Sequence, residues 1–257
     1  MLVTKPVLDH VAIGTWETAD GWELFGRVLG GAWVYGGDSP GFWWGQLSFS
    51  SGPKIEFITP TPSPDSAFLE RFLTARGPGP HHLNFIVPDI VATLRDVRAF
   101  GIEPVGVDLG SATWKEGFLH PKDAYGIVIQ VAQQSGPPPE FAPPADLPSP
   151  GPSCAFALIE HYVDDLASAV RLFCGVLAGE VVSREDTGSG SAAELSWENG
   201  ARLRLVQAPA VPGQAGRSSG GPGSLHFARD GKPFTPAELG LVAEKSARLG
   251  VSLKLGG

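Results

Sequence analysis

The chain is written in short apolar runs of strand length, set apart by glycine, proline and polar stretches. Four of these runs are each interrupted by a polar side chain that strand burial does not favour. His10 lies in Leu8-Asp9-His10-Val11-Ala12-Ile13, and Glu56 in Lys54-Ile55-Glu56-Phe57-Ile58. His82 lies in His81-His82-Leu83-Asn84-Phe85-Ile86-Val87, and Gln130 in Gly126-Ile127-Val128-Ile129-Gln130-Val131. Side chains alternate faces along a strand. The neighbours Val11 and Ile13, Ile55 and Phe57, Leu83 and Phe85, and Ile129 and Val131 therefore form apolar faces suited to helices, and the four polar residues turn to the concave face of a sheet.

Between the runs, a helical period predicts four helices. The first spans Thr18 to Leu29, with Trp22, Phe25 and Leu29 on one face. The second follows Asp89 as N-cap, carries Ile90, Leu94 and Val97 as its stripe, and ends at Gly101. The third starts at Asp164-Asp165 and buries Leu166, Val170, Phe173 and Leu177. The fourth opens with Thr235-Pro236-Ala237-Glu238, a capping box with proline at the first helical position, and ends near Leu249-Gly250.

The pattern repeats. Phe25-Gly26-Arg27-Val28-Leu29-Gly30-Gly31 matches Phe173-Cys174-Gly175-Val176-Leu177-Ala178-Gly179, and the segment around Gly52 matches that around Gly200. Both matches lie 148 residues apart (25 to 173, 52 to 200), the mark of a duplicated domain. The duplication predicts residues 1–134 as one domain, 135–153 as a proline-rich linker, and 154–257 as a second domain. Within each half, strand–helix–strand–strand–strand units recur, about four in all. The fourth is incomplete, because only seven residues follow Gly250. Its last strands are expected to be missing or very short, leaving an open edge that a partner in a homodimer could cover. The stretch from Pro212 to Gly223 reads as a flexible loop.

Composition narrows the setting. With 257 residues and 42% apolar content the chain can bury real cores. A formal charge of −8 argues against nucleic acid or anionic membrane as the main partner. No apolar run approaches the roughly 18 residues of a membrane span, and the N-terminus has no signal-like apolar stretch, so a cytoplasmic location is expected. Cys154 and Cys174 are isolated and read as free, buried thiols in a reducing compartment.

Two histidines, a glutamate and a glutamine on one face are side chains that a divalent metal accepts, and a metal would offset the cost of burying all four. His81 and His120 read as structural. Trp44, Gln46 and Ser48 share one strand parity and are expected to line the cavity. The aromatic run Phe42-Trp43-Trp44, with Trp33 and Trp114, favours an apolar or aromatic small-molecule substrate.

These residues resemble the vicinal oxygen chelate superfamily, which includes glyoxalase I, bleomycin resistance protein, methylmalonyl-CoA epimerase and the extradiol dioxygenases. Asp9-His10-Val11-Ala12 looks like its first-strand motif, and His81-His82-Leu83-Asn84-Phe85 resembles its fifth-strand motif. Phe118-Leu119-His120-Pro121-Lys122-Asp123 through Gln130 is similar to the last hairpin of the epimerase. The resemblance covers residues 6–133 well and 154–250 weakly. It implies an α+β fold in which paired βαβββ modules form half-open barrels, here as two tandem domains with the second truncated. It also implies a divalent metal ion (Zn, Ni, Co, Mn or Fe(II)) held by His10, Glu56, His82 and Gln130, with Asn84 near the substrate.

The usual last-strand ligand in these enzymes is glutamate, and Gln130 departs from it. Glu56 is then the one ionisable base among the four, and the expected catalytic residue. The implied activity is that of a lyase or isomerase, by proton transfer on a small carbonyl compound chelated through vicinal oxygens. Two alternatives stand beside it: a non-heme Fe(II) dioxygenase on an aromatic or enol substrate, and a metal-free protein that binds or sequesters a small molecule. In the second half Glu56 corresponds to Arg204 and His82 to Ser224, so no second metal site is expected there.

Overall fold

The computed structural model describes residues 3–136, 141–187, 190–207, 220–231 and 233–256. Strands and helices alternate in four modules. The first is β1 (Val7–Gly14), α1 (Ala19–Gly21, continuing as a π-helix over Trp22–Val28), β2 (Ala32–Ser39), β3 (Phe42–Ser48) and β4 (Lys54–Pro60). A further helix, α2 (Ala67–Arg76), leads to the second module: β5 (Gly79–Ile86), α3 (Ile90–Ala99), β6 (Val105–Asp108), β7 (Trp114–Leu119) and β8 (Val128–Gln134). The third has β9 (Ala155–Val163), α4 (Leu166–Gly175), β10 (Glu180–Thr187), β11 (Gly190–Ser196) and β12 (Arg202–Gln207). The fourth has β13 (Gly221–Ala228), α5 (Pro236–Arg248) and β14 (Ser252–Gly256).

The strands form two mixed sheets, ordered β2-β3-β4-β1-β5-β8-β7-β6 and β10-β11-β12-β9-β13-β14. In every module the first and last strands are parallel neighbours, as a helical crossover requires: β1 with β4, β5 with β8, β9 with β12 and β13 with β14. The 148-residue repeat is visible in the backbone, since β9, β10, β11 and β12 start at 155, 180, 190 and 202 where β1 to β4 start at 7, 32, 42 and 54. The architecture is α+β, built from βαβββ modules.

Repeated capping fixes the helices. Asp89 accepts a hydrogen bond from Ala92 N, and Asp165 accepts one from Ser168 N. A glutamine on the last strand of the second and third modules supplies a second cap: Gln133 Oε1 accepts from Ile90 N, and Gln207 Oε1 from Leu166 N. Thr235 and Glu238 form the anticipated capping box on α5.

Two features differ from the sequence reading, and a third refines it. The first helix is mostly a π-helix, with Leu29 N bonded to Leu24 O at 3.0 Å; an apolar stripe does not distinguish this from a regular helix. Helix α2 was not anticipated; its three-residue 3₁₀ lead-in starts at Pro64 and is capped by Ser63, whose Oγ accepts from Asp65 N. The fourth module retains its final strand: β14, five residues long, pairs along β13, and the middle hairpin is what the module lacks among the described residues. The loop expected over 212–223 falls largely outside the described residues. Cys154 is buried as expected, whereas Cys174 is only half-buried.

One compact unit comprises His10–His81, Pro138–Ala157 and Ser224–Gly257. Its core holds Trp22, Phe25 and Phe57, with Phe25 edge-on to Phe57 at 5.7 Å and to Phe227 at 5.8 Å. Phe227 stacks on Phe156 at 4.5 Å. Arg229, 2% exposed, donates to the Val28 carbonyl and pairs with Glu238 at 2.9 Å, which offsets the cost of burying its charge. The proline-rich segment is strapped down: Trp33 Nε1 donates to Phe141 O at 3.0 Å and Cys154 N donates to Leu29 O at 3.0 Å.

The other unit comprises Met1–Asp9, His82–Pro137 and Leu158–Gly223. Phe85 packs edge-on against Trp197 at 5.5 Å and near Phe173 at 6.1 Å. His161 is buried and hydrogen-bonds the Tyr125 carbonyl at 2.8 Å.

Candidate metal centre

Strand register brings the polar residues together. Glu56 on β4 stands opposite Gln46 on β3, and β1 runs beside β4 with His10 level with Lys54 and Ala12 level with Glu56. Gln46 Nε2 donates to Glu56 Oε2 at 2.7 Å and lies 3.3 Å from His10 Nδ1, so one amide joins the carboxylate to the imidazole. His10 Nε2 lies 3.5 Å from Glu56 Oε1. One ligand-type atom each from His10, Glu56 and His82 falls within 4.8 Å of the other two. All three side chains are buried, at 2%, 7% and 6% exposure.

The other expected site residues have surroundings of their own. Trp44 packs its ring edge against Tyr35 and joins Phe42 and Phe72 around Ile58, Leu69 and Leu73, the apolar cluster over which α2 sits. Helix α2 thus closes the face that carries Trp44 and Ile58, and a Cβ at Gly14 would meet the Phe72 ring at 3.0 Å. Ser48 is half-buried and reaches the Ala32 carbonyl only at 3.5 Å.

Asn84 is fully buried on β5, level with Gln130 on β8, and donates through Nδ2 to Gln130 Oε1 at 2.8 Å. Gln130 Nε2 in turn donates to Glu116 Oε2 at 2.7 Å, and Trp114 Nε1 donates to the same oxygen at 2.7 Å. Sequence reasoning passed over Glu116, since Trp114-Lys115-Glu116-Gly117 looks like a polar edge; only the pairing of β7 with β8 places it beside Gln130.

His81 packs edge-on to Phe72 at 4.8 Å, and burial lowers its pKa to about 4. His120 is exposed at a turn, where Nδ1 accepts from Lys122 N. In the third module the repeat places Leu158, Glu194 and Arg204 where the first has His10, Gln46 and Glu56. There Arg204 pairs with Glu185 and Glu194 pairs with Arg202.

The model of the Glyoxalase/Bleomycin resistance protein/Dioxygenase superfamily matches residues 9–118. The chain is 30% identical to methylmalonyl-CoA epimerase from Mycobacterium tuberculosis, over 53% of this chain and 94% of that one, with a TM-score of 0.46. This chain belongs to the superfamily. A solved structure of a point variant of methylmalonyl-CoA epimerase from Streptomyces coelicolor, in complex with 2-nitronate-propionyl-CoA, is 21% identical over 51% of this chain and 98% of that one, with a TM-score of 0.45. A triple mutant of 4-hydroxymandelate synthase, also from Streptomyces coelicolor, spans far more: 95% of this chain and 76% of its own, with a TM-score of 0.61 and 13% identity. That likeness is one of fold and spans both halves. No curated protein matches the chain.

Proposed function

We propose that His10, Glu56 and His82 hold a divalent metal ion, and that the protein is a lyase or isomerase acting on a small substrate chelated through two vicinal oxygens. The convergence of two imidazoles and one carboxylate within 4.8 Å carries this reading. The donor set fits the ion: all three side chains are buried, and the Gln46 amide orients the carboxylate from behind. A divalent ion held there would polarise the substrate oxygens and stabilise the negative charge that develops on them.

Two neutral imidazoles and one carboxylate leave a dication with a net charge of +1, which favours anionic ligands. Gln46 donates to Glu56 Oε2 and Oε1 faces His10 Nε2 at 3.5 Å, so Glu56 would have to leave a bound ion before it could take and return a proton. Trp44, packed over the apolar cluster, contributes an aromatic wall beside Gln46. The second reading is an Fe(II) oxygenase, favoured by the two-histidine, one-carboxylate donor set itself.

Metal analysis of the purified protein tests both. About one equivalent of zinc, nickel, cobalt or manganese supports the lyase or isomerase; iron with oxygen-dependent turnover supports the oxygenase. Loss of the metal in His10→Ala and in His82→Ala is expected in either case. A protein without metal, whose ligand binding is indifferent to His10→Ala, is instead a metal-free binding protein.

A further inference from the structure

The hydrogen bonds from Trp114 to Asn84 allow only one direction. An indole nitrogen can only donate, so Glu116 Oε2 accepts from Trp114 at 2.7 Å. The same oxygen lies 2.7 Å from Gln130, so the amide must turn its NH2 group toward it; the opposite orientation would set two acceptors against each other. The Gln130 carbonyl oxygen then faces Asn84, which must present its own NH2 group at 2.8 Å. What remains is Asn84 Oδ1. It belongs to a side chain with 0% exposure and has no hydrogen-bond partner among the described residues. A buried carbonyl oxygen without a donor costs free energy until one arrives.

The face on which this happens is the one that carries His82. Along β5, Asn84 follows His82 by two residues, and β8 sets Gln130 level with Asn84. Across β7 and β8, Phe118 opposes Gln130 and Glu116 opposes Ala132, so Glu116 shares that face.

We propose that Glu116 is a positioning residue which, through Gln130, turns Asn84 to offer an oxygen acceptor to the site, and that the substrate carries an N–H or O–H donor next to its chelating oxygens. This rests on the reading of His10, Glu56 and His82 as metal ligands. It also gives a physical account of Gln130. A glutamate at that position would put a second carboxylate against Glu116 at hydrogen-bond distance, with no donor between the two. With glutamine, the carboxylate sits on β7 instead of β8, and β8 transmits its orientation.

The test uses the full chain loaded with Co(II) and two small chelators that differ by one donor: acetohydroxamate, which has an N–H beside its two oxygens, and N-methylacetohydroxamate, which lacks it. Their dissociation constants are measured from the cobalt absorption bands and by calorimetry. Wild type is expected to prefer acetohydroxamate about tenfold or more. Asn84→Leu abolishes that preference; Glu116→Gln, which lets the relay run either way, reduces it severalfold. Near-UV circular dichroism establishes that each variant is folded, and Glu116→Gln carries the test if Asn84→Leu is not. Equal affinities in wild type, or a preference unchanged in the variants, overturns the proposal while cobalt binding leaves the metal site standing. A wild-type protein that takes up no cobalt overturns the metal reading, and this inference with it.

Discussion

At the residue scale, the site depends on side chains that hold other side chains. Gln46 ties Glu56 to His10 through one amide nitrogen. Gln46→Ala is therefore expected to weaken metal binding by roughly 10- to 100-fold without abolishing it, measured by competition with a chelating dye. His161 gives a pH dependence of known sign. Burial pushes its imidazole down to about 4 from 6.5, only partly offset by the hydrogen bond to the Tyr125 carbonyl. The folded protein thus resists protonation there while the unfolded chain accepts it. Stability from the neutral imidazole is complete above about pH 6.5 and is lost as the pH falls toward 4, by about 3 kcal/mol in total. Urea titrations at pH 7.5 and 4.5 should show wild type losing more stability than His161→Gln over that range. Which residues were legible follows from the same physics. His10, Glu56 and His82 could be read because each interrupts an apolar run at a fixed parity. Glu116 could not, because its place beside Gln130 depends on the register of two strands.

At the scale of elements, the two aspartate caps are equivalent devices on equivalent helices. Asp89→Ala and Asp165→Ala should each cost about 1 kcal/mol, read from chemical denaturation. Both helices were legible because a cap, an apolar stripe and a terminator coincide in sequence. Helix α2 was not, since its cap serves a 3₁₀ turn and its apolar residues are few: Phe68, Leu69, Phe72 and Leu73 form a short patch rather than a long stripe. The π-helix was half legible. Its buried face was anticipated, but its extra residue per turn shows only in the hydrogen bonds.

At the scale of the whole molecule, the duplication was the most legible feature, because a constant offset survives where individual matches fade. Packing was much less so. Phe227, from the fourth module, meets Phe25, Phe49 and Phe156. Phe227→Ala should cost about 3–5 kcal/mol in global stability, and residues 1–134 expressed alone should unfold at lower denaturant than the full chain. The third module adds a point about descent. Its Arg204 is paired with Glu185, and Glu194 lies across the strand pair from it. Replacing Arg204 by a carboxylate would bring three like charges together before any histidine arrived to recruit a cation. Placing a carboxylate at Arg204, the position that carries Glu56 in the first module, is therefore a destabilising step. The Arg204–Glu185 pair thus acts as a latch: a substitution that opens this strand position to a new ligand first forfeits a salt bridge.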